Sequence, residues 1–112
     1  RGEQEKPLVI TEYGPLLPND AMGYTPDNAQ VIIDFMLASF EYFLHTQDCT
    51  LGYSADSCRL VQRWVWFSLD YDGEFNQHGH MFDPTTKEIT TTGDAFRGYS
   101  LQNLTELARK PY

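Results

Sequence analysis

Lys6-Pro7-Leu8-Val9-Ile10-Thr11-Glu12-Tyr13-Gly14 is the stretch on which the fold turns. Leu8 to Thr11 reads as a short strand. Its run has no polar alternation, as expected of a parallel strand covered on both faces. It then stops at a carboxylate, an aromatic ring and a glycine. Side chains alternate along a strand, so Ile10 and Glu12 share a face, with Glu12 nearer the C-terminal mouth.

Tyr13 to Tyr24, rich in Gly, Pro and Asn, reads as a loop. Thr25-Pro26-Asp27-Asn28 signals a helix start. Thr25 can cap the free backbone amides, Pro26 suits the first helical position, and Asp27 favours the positive end of the dipole. Ala29, Ile32, Ile33, Met36, Phe40, Phe43 and Leu44 then recur at helical spacing, which predicts a helix over 25–45 with one apolar face. A polar loop from Asp48 to Arg59 follows. Arg59 to Leu69, RLVQRWVWFSL, is rich in aromatic and β-branched residues and predicts a second strand. Asp70 to Asp83 reads as a loop, Phe82 to Lys87 as a turn, and Thr92 to Phe96 as the entry to a last helix. That helix is best patterned at Leu101, Leu104, Leu107 and Ala108.

The order strand, helix, strand predicts parallel neighbours joined by a right-handed crossover, with Ile32, Ile33, Met36 and Phe40 against the sheet. Two strands cannot close a sheet, so both edges and much of one face would be bare.

With 112 residues the chain suffices for one domain with a modest core. Its 41 % hydrophobic and 14 % aromatic content is of the globular type. Sixteen acidic against eight basic residues give a net charge of −8. That argues against nucleic acid, which needs clustered Lys and Arg, and disfavours an anionic membrane surface. No run reaches the roughly 18 apolar residues of a transmembrane helix, and no signal peptide is visible. The charge fits a neutral ligand such as a glycan. Cys49 and Cys58 either close a small loop by a disulfide, which would suggest an oxidising compartment, or are two free thiols. Asn103-Leu104-Thr105 matches a glycosylation sequon.

The Lys6–Gly14 stretch resembles the seventh strand of the clan A glycoside hydrolases, (β/α)8 barrels that retain anomeric configuration. Trp64-Val65-Trp66-Phe67-Ser68-Leu69 resembles the eighth strand of the same clan. Phe82-Asp83-Pro84, Ile89-Thr90 and Gly93-Asp94-Ala95-Phe96 resemble the run into its closing helix. The resemblance covers about Lys6 to Leu107. It implies an α/β chain made of strands 7 and 8, with their helices, of a (β/α)8 TIM barrel. A whole barrel takes about 250 residues, so residues 1–112 would be a C-terminal fragment of the catalytic domain.

The resemblance also implies roles. Glu12 would be the catalytic nucleophile, attacking an anomeric carbon to form a glycosyl-enzyme. Trp66 would be the sugar platform, because pyranose C–H groups pack on an indole face. The peptide bond after it, Trp66–Phe67, would be cis. One of Trp64 and Trp66 would instead serve the core. Tyr13, Trp64, Asp72 and Glu74 are further candidate sugar contacts or plain loop and core residues. The substrate would be an oligosaccharide or polysaccharide, the partner the remainder of the barrel, with no cofactor and a secreted or extracellular setting. His78 and His80 form a His-x-His pair, but only Asp83 or Glu74 offers a third ligand, so no metal is expected.

A retaining mechanism needs a second carboxyl about 5 to 5.5 Å away. In the clan it follows an asparagine, and no Asn-Glu dipeptide occurs here. Asp70 and Asp72 could approach Glu12 only in an unfamiliar arrangement. The leading expectation is a segment of a retaining β-glycosidase that supplies nucleophile and platform, inactive in isolation. The alternatives are a catalytically silent carbohydrate-binding or scaffold fragment, and a small autonomous α+β domain in which Glu12 is structural.

Overall fold

Strand β1 (Val9–Tyr13) and strand β2 (Arg63–Trp66) lie side by side and parallel. Helix α1 (Gln30–His45) joins them. This arrangement comes from a computed structural model, which describes residues 5–16 and 29–108. The Thr25-Pro26-Asp27 helix start lies outside the described residues.

The apolar face read from the sequence is the face α1 buries: Ile32, Ile33, Met36, Phe40 and Leu44. A 3-10 turn (Ser54–Asp56) follows in the polar loop. Helix α2 (Thr91–Gln102) and the short helix α3 (Leu104–Leu107) end the described chain. Thr90 starts α2: its hydroxyl accepts from the Gly93 amide at 3.0 Å and donates to the His80 carbonyl at 2.6 Å. The Phe82–Lys87 turn forms because the Asp83 carboxylate accepts from the amides of Thr85 and Thr86, at 2.8 and 2.7 Å.

Ile32, Met36, Phe40, Leu44, Trp66, Met81 and Tyr99 pack into a core cluster. Phe40 is its centre. Its ring centroid lies 5.5 Å from Trp64, 5.9 Å from Trp66 and 5.6 Å from both Phe96 and Tyr99. One phenyl ring thus ties α1 to β2 and to α2, largely in edge-to-face or tilted geometry that suits the ring quadrupoles.

This architecture corrects the expected fold class. Among the described residues there are two parallel strands and three helices, not strands 7 and 8 of a (β/α)8 TIM barrel with their helices. The apolar strand runs suggested coverage on both faces, and that coverage is absent. Val9 is 47 % exposed and Val65 56 %, while Trp66 on the opposite parity is 7 % exposed. The sheet is therefore one-faced, covered by helices on one side only. The second strand is also shorter than Arg59–Leu69. At its start, Arg59 turns away into antiparallel bridges with Gln47 and Tyr53. At its end, Ser68 folds back on Tyr71.

The last helix differs as well. Leu101 and Leu104 are exposed, and α2 buries Thr92, Gly93 and Tyr99 instead. Of the patterned leucines, Leu107 alone packs against the core.

Truncating the hub should cost most. Phe40→Ala is expected to lower unfolding stability by about 3–5 kcal/mol in urea titration. Tyr42→Ala, two positions away and exposed, should change it by less than about 0.5 kcal/mol. Equal effects would show that Phe40 is not the packing centre.

Candidate functional site

The C-terminal ends of the two strands meet where the Phe67 amide donates to the Tyr13 carbonyl at 2.8 Å. The Phe67 carbonyl lies so close to Gly14 that a β-carbon there would sit 2.9 Å from it, which explains the glycine after Glu12-Tyr13.

Between these ends β1 is bulged. Ile10 pairs with Trp64 and Tyr13 with Trp66, so Thr11 and Glu12 together oppose Val65. The extra residue shifts the parity of the strand. Tyr13, not Glu12, returns to the helix side with Ile10. Its ring lies 5.1 Å from Phe43, 5.7 Å from Phe35 and 5.6 Å from Trp66. The expectation that Ile10 and Glu12 share a face is thereby corrected, and Tyr13 is half-buried against the helix side. Burial raises the Tyr13 phenol above its ordinary pKa, opposed in part by a hydrogen bond with Ser39.

Glu12 is left exposed at the strand end. Among the described residues it has no hydrogen-bond or ion-pair partner.

Trp66 is not the exposed platform. Its indole N–H donates to the Gly79 carbonyl at 2.7 Å, and its ring is enclosed by Tyr13, Phe35 and Phe40. Trp64 is half-buried against Phe40 and Phe43. Both tryptophans serve the core. The cis peptide bond is one position later than expected, at Phe67–Ser68. The aromatic residues at the strand mouth are Phe67, half-buried, and Tyr71, exposed, with centroids 5.7 Å apart. Neither stood out in the sequence. Their signal was parity: once both tryptophans face the helices, Phe67 is the next ring free of them.

A polar network holds this pair. The Ser68 hydroxyl donates to the Tyr71 carbonyl at 2.9 Å and accepts from the Tyr71 amide at 3.0 Å. The buried Asn76 amide donates to the Ser68 hydroxyl at 2.9 Å and to the Tyr71 carbonyl at 2.7 Å. The loop from Asp70 to His80 is thus wired to the strand end. Asp72 and Glu74 are exposed on it, and Asp70 forms an ion pair with Lys87 at 3.7 Å. None of the three makes an ion pair or hydrogen bond with Glu12.

His78 and His80 line a separate hollow of about 150 Å³ with Gln77 and Thr90 to Thr92. The His80 Nδ1 lies 3.4 Å from the Asn76 carbonyl, and the Thr92 hydroxyl donates to the His78 carbonyl at 2.6 Å. No cluster of three metal-ligating side chains occurs among the described residues. Cys49 and Cys58 are joined by a disulfide. The sequon residue Asn103 caps the end of α2, its amide donating to the Tyr99 carbonyl at 3.0 Å.

Compared with protein-family models, curated proteins and solved structures, the chain matches none. No helix among the described residues is long and apolar enough to cross a membrane.

The network yields a direct test. Asn76→Ala should cost about 1 kcal/mol, since it removes two hydrogen bonds while Ser68 and Tyr71 keep those they make to each other. It should also erase the Phe67–Tyr71 ring-to-ring cross-peaks in NMR spectra. Unchanged stability with intact cross-peaks would show that the loop is held by other bonds.

Proposed function

We propose that this chain is a carbohydrate-acting segment of a retaining glycosidase, with Glu12 as its nucleophile. One observation carries the reading: an exposed, unpartnered carboxylate on a bulge at the C-terminal end of a parallel strand, at the mouth where half-buried Phe67 and exposed Tyr71 also lie. Bulges are over-represented next to active sites because they re-aim a side chain. A carboxylate there can attack an anomeric carbon while a second carboxyl protonates the departing oxygen. The resulting glycosyl ester at Glu12 is then hydrolysed by water. The second carboxyl comes from outside the chain. Phe67 and Tyr71, in place of Trp66, offer the apolar rings on which a sugar face rests. Oligosaccharides or polysaccharides are the substrate class, and the net charge of −8 suits a neutral ligand.

That no carboxyl is hydrogen-bonded to Glu12 among the described residues fits a second reading for the chain on its own: sugar binding without turnover. The two are separated by trapping. A slow fluorinated glycoside, offered to the chain together with the segment that supplies the acid, should label a peptide containing Glu12 in mass spectrometry. Glu12→Gln should abolish the label without loss of stability, and the isolated chain should not turn over glycosides. Phe67→Ala should weaken oligosaccharide binding about tenfold, roughly 1.4 kcal/mol, in calorimetry. Label on Asp70, Asp72 or Glu74 would assign the nucleophile elsewhere. Binding with no label under any condition would leave the binding-only reading.

A further inference from the structure

The loop that carries the disulfide does more than close itself. The Cys58 carbonyl accepts from the Asp48 amide at 2.9 Å, and the Cys58 amide donates to the Tyr53 carbonyl at 3.0 Å. The next carbonyl, that of Arg59, accepts from the Tyr53 amide at 3.0 Å. It also accepts from the side-chain amide of Gln62 at 2.8 Å. The Gln62 side-chain oxygen in turn accepts from the Leu8 amide at 2.7 Å, and the Gln62 backbone amide donates to the Leu8 carbonyl at 3.0 Å. Leu8 is the residue immediately before β1. A continuous hydrogen-bonded path therefore runs from the crosslink, through the buried Gln62, to the first rung of the strand that carries Glu12.

The loop is costly to hold in this shape. Ser57 and Cys58 are consecutive left-handed residues, with φ of 55° and 60°, and neither is glycine. Gly52 lies so near the chain crossing that a β-carbon would come within 2.0 Å of the Cys58 carbonyl. The ion pair of Asp56 and Arg59 is 1–2 % exposed. Arg59 Nε and Nη2 converge on one oxygen, Asp56 Oδ2, at 2.8 and 2.5 Å. Asp56 Oδ1 has no hydrogen-bond partner among the described residues. A buried, incompletely satisfied ion pair contributes little net stability. Backbone hydrogen bonds from the Asp48 and Tyr53 amides close the loop, and the disulfide is the covalent tie that holds them in register. Val9, Thr11 and Glu12 are exposed, so along β1 it is Tyr13 at the far end that packs against the core.

We propose that the Cys49–Cys58 disulfide is a redox-governed clamp on β1: oxidised, it seats the strand through Gln62; reduced, it releases the strand and with it the placement of Glu12. The reductant is a dithiol. One of its thiolates attacks the exposed Cys49 sulfur, the Cys49–Cys58 bond breaks, and Cys58 leaves as a thiolate and takes up a proton. The second thiol of the reductant then attacks the mixed disulfide and releases the Cys49 thiol. Two electrons and two protons pass to the protein, and the dithiol becomes a cyclic disulfide. The inference concerns the seating of β1 and holds whatever ligand Glu12 meets.

Amide hydrogen exchange read by mass spectrometry tests it, on the oxidised protein and after treatment with dithiothreitol. Reduction should speed exchange over Leu8–Tyr13 by at least about tenfold, the low end of what closing a short loop contributes. Amides of Phe96 to Tyr99 in α2 should keep their protection. Cys49→Ser and Cys58→Ser should reproduce the reduced pattern without reductant. Gln62→Met, with the disulfide intact, should speed exchange in β1 alone, and reduction should then add nothing there. The proposal is overturned if reduction frees the loop but leaves β1 protected, if α2 loses protection together with β1, or if the disulfide resists the dithiol.

Discussion

The structure depends on the packing around Phe40. A one-faced, two-stranded sheet cannot persist in water on its ladder bonds alone. It needs a helix pressed on it, and that helix needs a second one to close its flank. The Phe40 ring meets β2 through Trp64 and Trp66, and α2 through Phe96 and Tyr99. Those contacts join the sheet, α1 and α2 into one packed unit. They also account for both tryptophans. Rings of that size, placed two apart on β2, fall on one face, and α1 offers the large apolar surface that can cover them.

This explains what was legible in the sequence and what was not. The α1 stripe was legible because 3.6-residue periodicity is local, and every residue from Ile32 to Leu44 reports it. The parallel pairing followed from the strand–helix–strand order and the handedness of crossovers. Coverage of the strands was not legible. Leu8-Val9-Ile10 reads the same whether a second layer covers its outer face or water does, so apolar content alone suggested a two-sided sheet. The leucines of α2 and α3 misled for a related reason. Thr92 and Gly93 pack inward because the backbone comes close there, and small residues carry no hydrophobic signal.

The candidate site shows a subtler limit. Strand parity placed Glu12 beside Ile10, and the argument would hold for a regular strand. One bulged residue between Ile10 and Tyr13 reverses it. Nothing in Thr11-Glu12 marks a bulge, since it arises from how β1 must meet β2 at both ends. The consequence reaches past β1. Tyr13 joins the aromatic core, Trp66 is enclosed behind it, and the rings left at the mouth are Phe67 and Tyr71. What stands at the ends of the parallel strands is a carboxylate and aromatic rings. The barrel that the resemblance implied does not stand among the described residues.

Polar bonds at the two ends of β1, more than burial along it, fix where Glu12 stands. At the start, Leu8 is bonded in both directions to Gln62. At the end, Tyr13 accepts from Phe67, and Gly14 lets the backbones close. A strand pinned at both ends with one residue too many between them must bulge, and the surplus must face away from the packed rings. Glu12 is that surplus in a chain whose neighbours on the helix side are all apolar, so the least costly place for its charge is the solvent side. Placing the carboxylate there requires no partner of its own, which leaves it available to whatever approaches the strand mouth.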